Sequence, residues 1–296
     1  MKKIFFLLII VSNIFAQSAG ESGIAFLKFG FGARNIAMSD LGVASVNDLT
    51  ALNYNPSLLT GKSQLFFSHN SLFQDLSSEM FAAGFNLFGL PIAVGATTTS
   101  ISNIEVRTMP GDAITKINAH YFSGSVSTKI NIVNNFYAGI TIKYLYENLF
   151  SNEANGYGFD FGVSYQNLIE GLTLGASIKN IGSMNELRLE STKLPVDFRI
   201  GGSYNFTLPG SKFDFVALAG FQKYILQNDS HFHLGAETVY NKSFSLRVGF
   251  ASGYDTKSIT AGFGILLGNI NTDYAYVPMK YSLGDSHIIT FIYSID

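Results

Sequence analysis

Two histidines, His231 and His233, stand two residues apart in a segment of alternating polarity, so in an extended chain both imidazoles point the same way. Such a pair offers two nitrogens to a metal ion, but a zinc site needs further ligands and the neighbouring residues supply none. The reading favoured here is of exposed polar residues at a strand start, with no metal and no cofactor. His69, His120 and His287 also fall near segment ends, where polar side chains meet water. The spacings of known catalytic motifs are missing. There is no G-x-S-x-G, no H-E-x-x-H and no P-loop, and Gly30-x-Gly32 and Gly262-x-Gly264 lack the rest of a dinucleotide fingerprint. A hydrolase of lipopolysaccharide acyl chains would need a Ser or His beside a carboxylate at one rim, and no such set stands out. With no cysteine in the chain, disulfides, thiolate nucleophiles, Cys-ligated metals and a lipoprotein anchor all fall away. The chain is not expected to be an enzyme.

Composition points to what it is instead. Of 296 residues, 47% are hydrophobic but only 14% charged, against roughly 25% charged in soluble domains. Lys and Arg number 19 and Asp and Glu 21, which gives no basic footprint for nucleic acid. The 27 Phe, 15 Tyr and 29 Gly argue against disorder. No stretch approaches the ~18 consecutive apolar residues of a membrane helix, so the apolar material is spread along the chain in small doses. Lys2, Lys3 and the apolar run Ile4–Val11, followed by Ser12 and Asn13, read as an export signal cleaved after Ala16, before Gln17. A buried N-terminal strand or helix is the competing reading.

After residue 62 the polarity alternates with a period of two. Tyr157, Phe159, Phe161, Val163 and Tyr165 share one face, while Gly158, Asp160, Gly162 and Ser164 share the other. The same holds for Leu172, Leu174, Ala176 and Ile178 against Thr173, Gly175, Ser177 and Lys179. It recurs in Phe244, Leu246, Val248 and Phe250 against Ser245, Arg247, Gly249 and Ala251. Candidate strands fall at 63–70, 79–87, 91–101, 119–130, 135–147, 156–166 and 171–181, and then at 195–206, 212–225, 231–240, 243–253, 259–267, 271–278 and 287–295. That makes about fourteen, each near the ~9–11 residues that cross a bilayer as a tilted strand.

Short links near Gly89–Pro91, Asn131–Asn135, Gln166–Gly171, Leu208–Ser211, Asn241–Ser243 and Gly268–Asn271 mostly alternate with longer ones. The longer links are 71–78, 102–118, 148–155, 182–194, 226–230, 254–258 and 279–286, the last-but-two and last-but-one being no longer than the turns. This is the pattern of periplasmic turns and external loops. A soluble sandwich would carry Lys, Glu and Arg on its polar face, whereas here Gly, Ser, Thr and Asn dominate it. Lipid offers no hydrogen-bond partners, so strands that span it must close on themselves. The expected fold is therefore an all-β transmembrane antiparallel barrel of about fourteen strands. Tyr137, Tyr144, Tyr146, Tyr157, Tyr165, Tyr204, Tyr224, Tyr240, Tyr254, Tyr274, Tyr276 and Tyr293 are read as interfacial girdle residues. The chain ends Phe291–Asp296, so Tyr293 is the aromatic expected to serve the assembly signal.

The stretch 17–62 lacks alternation. It has a Gly-rich opening, a short helix candidate after Ser45–Asp48 with Asn47 or Asp48 as cap, and a break at Asn55–Pro56. It is too apolar for a disordered tail, and a compact element inside the lumen would bury it. The expected organisation is a signal at 1–16, a luminal segment at 17–62 and the barrel at 63–296.

The residues Gly32-Ala33-Arg34, Ala37-Met38, Gly42-Val43-Ala44, Asp48, Ala51-Leu52 and Asn55-Pro56-Ser57-Leu58-Leu59 resemble the N-terminal signature of the PorV/PorQ family, within the wider FadL-like group of outer-membrane barrels. The segments Gly171–Gly182 and Leu194–Tyr204 are similar to it as well, so the likeness runs along the mature chain. The resemblance implies a fourteen-stranded barrel in the outer membrane with an N-terminal hatch, or plug, in its lumen. Gly32, Ala33, Arg34, Met38, Asp48, Asn55 and Pro56 would be hatch residues. It also implies association with type IX secretion, with secretion-machinery proteins or cargo bearing a C-terminal signal as partners beside outer-membrane lipid. FadL-like relatives instead pass hydrophobic small molecules, which is the alternative function; a purely structural role in the membrane is a third. Arg34 is a donor fork able to pair with an inward carboxylate such as Asp160, Asp197 or Glu237, or else it is solvated in a wet lumen.

Overall fold

A computed structural model describes residues 23–295 except 74, 188, 189 and 228. The signal and its cleavage point lie outside the described residues. The first strands are β1 Gln64–Ser71, β2 Leu76–Leu87, β3 Leu90–Val106, β4 Thr115–Val133, β5 Phe136–Leu149, β6 Asn152–Tyr165 and β7 Leu172–Met184. A separate small hairpin follows, β8 Glu186–Leu187 with β9 Glu190–Ser191. The remainder are β10 Asp197–Thr207, β11 Phe213–Tyr224, β12 Asp229–Tyr240, β13 Phe244–Ser252, β14 Ile259–Leu267, β15 Ile270–Val277 and β16 Ser286–Ser294. Fourteen of them form a closed antiparallel barrel in which neighbours in sequence are neighbours in space. β10 pairs with β7, and β1 zips onto β16 from Gln64↔Ser294 to Ser71↔His287. The expected fold class is the observed one. Among the described residues no helix is long and apolar enough to cross a membrane.

The alternation fixes which face points out. Val248 is 59% exposed and its neighbour Arg247 4%, while Phe232 is 62% exposed and His233 1%. A soluble protein shows the opposite order. Here the greasy face surrounds the cylinder and the polar face looks into it. Near the turn ends, outward rings cluster as Phe136–Tyr165, Tyr204–Phe206–Phe215 and Phe213–Tyr240. Tyr224 and Tyr254 depart from the expected girdle: Tyr224 is buried on the inward face of β11, and Tyr254 packs against His231. The His expectation is likewise corrected, since His231 and His233 are both buried on the inner wall.

Strand ends differ from expectation where polar residues continue a ladder into water. Asn148 pairs with Glu153 and Leu149 with Asn152, so the presumed loop 148–155 is a tight turn at Phe150 and Ser151. β3 and β4 run on past a bulge between Ile101 and Ile104, shortening the 102–118 link to residues 107–114. Hydropathy cannot see these extensions, because beyond the bilayer the pairing no longer requires apolar side chains. The lumen is also drier than the sequence suggests. Inward-facing Phe66, Met80, Ala82, Ala93 and Ile292 form one apolar cluster with Leu49, Leu52, Leu58 and Leu59 of the N-terminal segment.

Candidate functional site

The N-terminal segment threads the barrel lengthwise. At the loop end, a 3-10 turn Ala25–Lys28 sets Phe26 and Leu27 against Leu145, Ala154, Met184 and Leu194. Helix α1, Ala33–Ala37, then packs on β13 to β16. Residues 38–44 follow along β10 to β13, with Met38 fully buried beside Leu41, Val43 and Leu218. Helix α2, Ala51–Tyr54, and the turn Pro56–Leu58 reach β3 to β6 before the chain enters β1 at the turn end. Contacts with both sides of the wall place the segment inside the cylinder.

Arg34 meets Glu237, one of the three carboxylates anticipated for it. Its Nη2 donates to Glu237 Oε2 at 2.6 Å and its Nε to Oε1 at 3.1 Å, while Nη1 donates to the Ser45 carbonyl at 2.7 Å. The ion chain continues along the wall, with Arg247 Nε donating to Glu237 Oε1 and Arg247 Nη1 to Asp273 Oδ1, each at 2.6 Å. The other two carboxylates are taken. Asp160 holds Lys143 at 2.6 Å, and Asp197 holds Arg199 at 2.9 Å with Lys179 at 3.6 Å.

The remaining signature residues shape the segment's backbone. Gly32 has φ 83°, a left-handed value that leads directly into α1. The Ala33 amide donates to Thr290 Oγ1 at 2.9 Å. Asp48 accepts from the Thr50 amide at 2.8 Å and the Thr50 hydroxyl at 2.5 Å. It therefore fastens the turn ahead of α2; the cap residue of α2 is Thr50, which makes no side-chain cap bond, so the expected Asn47 or Asp48 cap is corrected. Burial raises the Asp48 carboxyl above the usual carboxylate range, against the opposing pull of those two donors and of Arg34. Asn55 is extended (φ −159°) ahead of Pro56 and ends α2 as expected. Its Nδ2 donates to the Val43 and Val163 carbonyls at 2.7 and 3.2 Å, and its Oδ1 accepts from the Ser57 amide and hydroxyl at 3.1 and 2.7 Å.

Glycines on the inner wall make this contact possible. A Cβ on Gly162 would lie 1.9 Å from Asn55 Oδ1, and one on Gly139 2.4 Å from the Pro56 carbonyl carbon. On the adjoining strand β7, a Cβ on Gly175 would lie 2.1 Å from the Val43 oxygen, and across the barrel one on Gly249 would lie 2.2 Å from the Ser39 amide. The Gly faces seen in the sequence are thus seats for the segment's backbone. Residues that the sequence did not tie to docking, His233 among them, complete it. Tyr54 is fully buried and donates its hydroxyl to Asp40. Arg199 donates to the Asp40 and Leu41 carbonyls at 2.6 and 3.0 Å and sits 5.4 Å from the Tyr54 ring centre. His233 Nδ1 lies 2.6 Å from the Ser39 oxygen.

Above the segment, at the loop end, a cavity of about 370 Å³ opens. Its apolar lining is Phe29, Ile36, Leu72, Phe73, Val277, Met279 and Ile288, with Asn70 and Ser286 on the same strands. Lys28, Asp40, Tyr224, Asp229, His231, Tyr254, Asp255 and Lys257 make up the polar lining. The His231 and Tyr254 rings stack at 3.7 Å, and the Lys257 and Lys28 ammonium groups lie 4.6 and 4.9 Å from the Tyr254 and Tyr224 ring centres. A 150 Å³ apolar cavity binds benzene, so this space suffices for a substituted single ring. Among the described residues no group of three or more His, Cys, Asp or Glu could hold a metal ion.

No family model matches the chain, and no curated protein matches it. Solved structures do. The P. putida toluene transporter TodX superposes with TM-score 0.64 at 10% identity, covering 90% of this chain and 99% of the other. The CymD monoaromatic hydrocarbon channel gives 0.61 at 12%, covering 90% and 98%. A Pseudomonas aeruginosa FadL homologue gives 0.54 at 10%, covering 90% and 100%. At such identities the likeness concerns the fold: this chain has the architecture of the FadL-type outer-membrane barrels.

Proposed function

We propose that the chain is an outer-membrane conduit for hydrophobic small molecules, exported by its N-terminal signal, with residues 17–62 as a hatch closing the barrel 63–296. The observation that carries this reading is the half-apolar cavity of about 370 Å³ at the loop-end mouth of a barrel otherwise filled by its own segment. It is a receiving site of the right size and lining for an apolar ring, set directly on the element that must yield. Gly32, Ala33, Arg34, Met38, Asp48, Asn55 and Pro56 are assigned to the hatch, as the residues that dock it or shape its backbone. The printed names of the structural neighbours, a toluene transporter and a monoaromatic hydrocarbon channel, favour this reading over the PorV/PorQ-type secretion role, for which nothing in the fold or the neighbours speaks.

The test is a deletion strain. Slower uptake of an apolar compound such as toluene with unchanged protein secretion is the expected result. Lost secretion with normal uptake would overturn the proposal.

A further inference from the structure

The loop-end cavity carries more charge than a bare hydrocarbon can use. Two lysines, Lys28 and Lys257, and three aspartates, Asp40, Asp229 and Asp255, stand around it. None of the five belongs to an ion pair among the described residues. Lys28 donates to Gln227 Oε1 at 2.6 Å. Lys257, half-buried on the link between β13 and β14, lies over the Tyr254 ring. Asp40 is the carboxylate whose charge is felt most at Lys257, yet the two do not pair. A plain hydrocarbon filling this space would strip water from these groups and return no hydrogen bond for it.

Asp40 also stands where a helix end ordinarily takes glycine. Ser39 and Asp40 follow α1 in the left-handed region, at φ 68° and 67°, and the Asp40 amide donates to the Asn35 carbonyl at 2.8 Å. A glycine would hold that turn with less strain. The aspartate adds a carboxylate on the segment's side of the cavity, and its Oδ1 accepts from the Tyr54 hydroxyl. The other carboxylate oxygen has no hydrogen-bonded partner among the described residues. The lining suits a ring as well. Phe29, Phe73, Tyr224, His231 and Tyr254 are all aromatic, and Tyr224 meets His231 edge-on at 5.9 Å. Such a set presents both faces and edges to a flat guest.

We propose that the preferred occupant of the loop-end cavity is a single aromatic ring carrying a neutral hydroxyl, a phenol. Its oxygen accepts from Lys257 and its O–H donates to Asp40, while the ring rests on the apolar lining. This rests on the conduit reading and names the substrate class of the same site. A carboxylate in place of the hydroxyl would meet Lys257 but crowd three like charges, and an ammonium would meet Asp40 but crowd two. A hydroxyl, donor and acceptor at once, serves both sides without adding charge.

Titration calorimetry on the full-length protein in detergent tests this. Toluene is compared with p-cresol, the same ring plus one hydroxyl and neutral near pH 7 as a tyrosine phenol is, and with benzoate and benzylamine as charged rings. p-Cresol is expected to bind about tenfold more tightly than toluene, the equivalent of ~1.4 kcal/mol, and more tightly than either ion. Lys257→Met and Asp40→Asn should each remove most of that preference, whereas Lys257→Arg, which keeps a cationic donor, should retain it. Asp40→Asn preserves an acceptor for Tyr54 and a residue that tolerates the left-handed backbone, and retained heat-modifiable gel migration shows that each variant is folded. Toluene binding as tightly as p-cresol would overturn the inference and leave the conduit reading standing. Tighter binding of benzoate or benzylamine, or a preference that survives both variants, would overturn it too, and no binding of any ring would overturn it together with the receiving site. If p-cresol binds with the expected variant pattern but the deletion strain takes it up as fast as its parent, it is the conduit reading that fails, and the phenol site remains.

Discussion

Replacing Arg34 by Ala tests whether the segment is held by its ion chain. The substitution removes three bonds to Glu237 and one to the Ser45 carbonyl. Breaking a buried pair by deleting one partner costs ~3–5 kcal/mol because the other charge is left uncompensated. Glu237 keeps Arg247 at 2.6 Å, so the loss falls at the lower end, about 3 kcal/mol, or roughly a hundredfold more of the undocked state. The wild type is expected to be closed in a planar bilayer and Arg34→Ala to show frequent openings. Arg34→Lys should lie between them, since an ammonium cannot make the forked contact. Glu237→Ala should open the barrel more than Arg34→Ala, because it strips the shared carboxylate from two guanidinium groups at once. If Arg34→Ala conducts no more than wild type, or Glu237→Ala less than Arg34→Ala, the ion chain does not hold the segment.

Four further substitutions probe the rest of the docking and the outer face. Gly139→Ala drives a methyl into the Pro56 backbone, 2.4 Å away, and should cost ~1–3 kcal/mol, read as a lower midpoint of heat-modifiable gel migration. Gly124→Ala, whose nearest neighbour is a Phe122 ring carbon at 3.5 Å, should be neutral in the same assay. Asn55→Ala leaves the buried Val43 carbonyl, the part-buried Val163 carbonyl and the Ser57 amide without this partner; at ~1–3 kcal/mol per unsatisfied buried group it should destabilise more than Gly139→Ala and raise bilayer conductance. Val248→Arg, mid-strand on the outer face, should lose ~2–4 kcal/mol in lipid refolding titrations, and no loss would place that face outside the bilayer.

The barrel was legible because lipid imposes a period of two that nothing else in the chain masks: Phe159 out, Asp160 in, Phe161 out. It faded at 148–155, where Glu147, Asn148 and Glu153 pair above the bilayer without an apolar signature. The segment was recognisable by its missing alternation, and Arg34 by its type. Which of three carboxylates it takes was not, because that depends on Lys143 and Arg199 already occupying Asp160 and Asp197. The Tyr54–Asp40 bond and the Arg199 contacts join elements distant in sequence, and no local pattern encodes them. His231 and His233 looked exposed because the spacing of two histidines says nothing about the Tyr254 ring that folds back over one of them.

The glycines that seat the N-terminal segment have a consequence for the barrel as an object. Its inner surface is a mould. Where Asn55 and Pro56 press, the wall is hollowed to bare backbone at Gly139 and Gly162, and where the segment is clasped, Arg199 and Arg247 stand out as ridges. A chain shortened to begin at Lys62 would therefore enclose a bore of uneven width, recessed at its glycines and ridged at its charged side chains. Such a cast fits a single occupant, and the strands that form it carry the segment's shape even when it is gone.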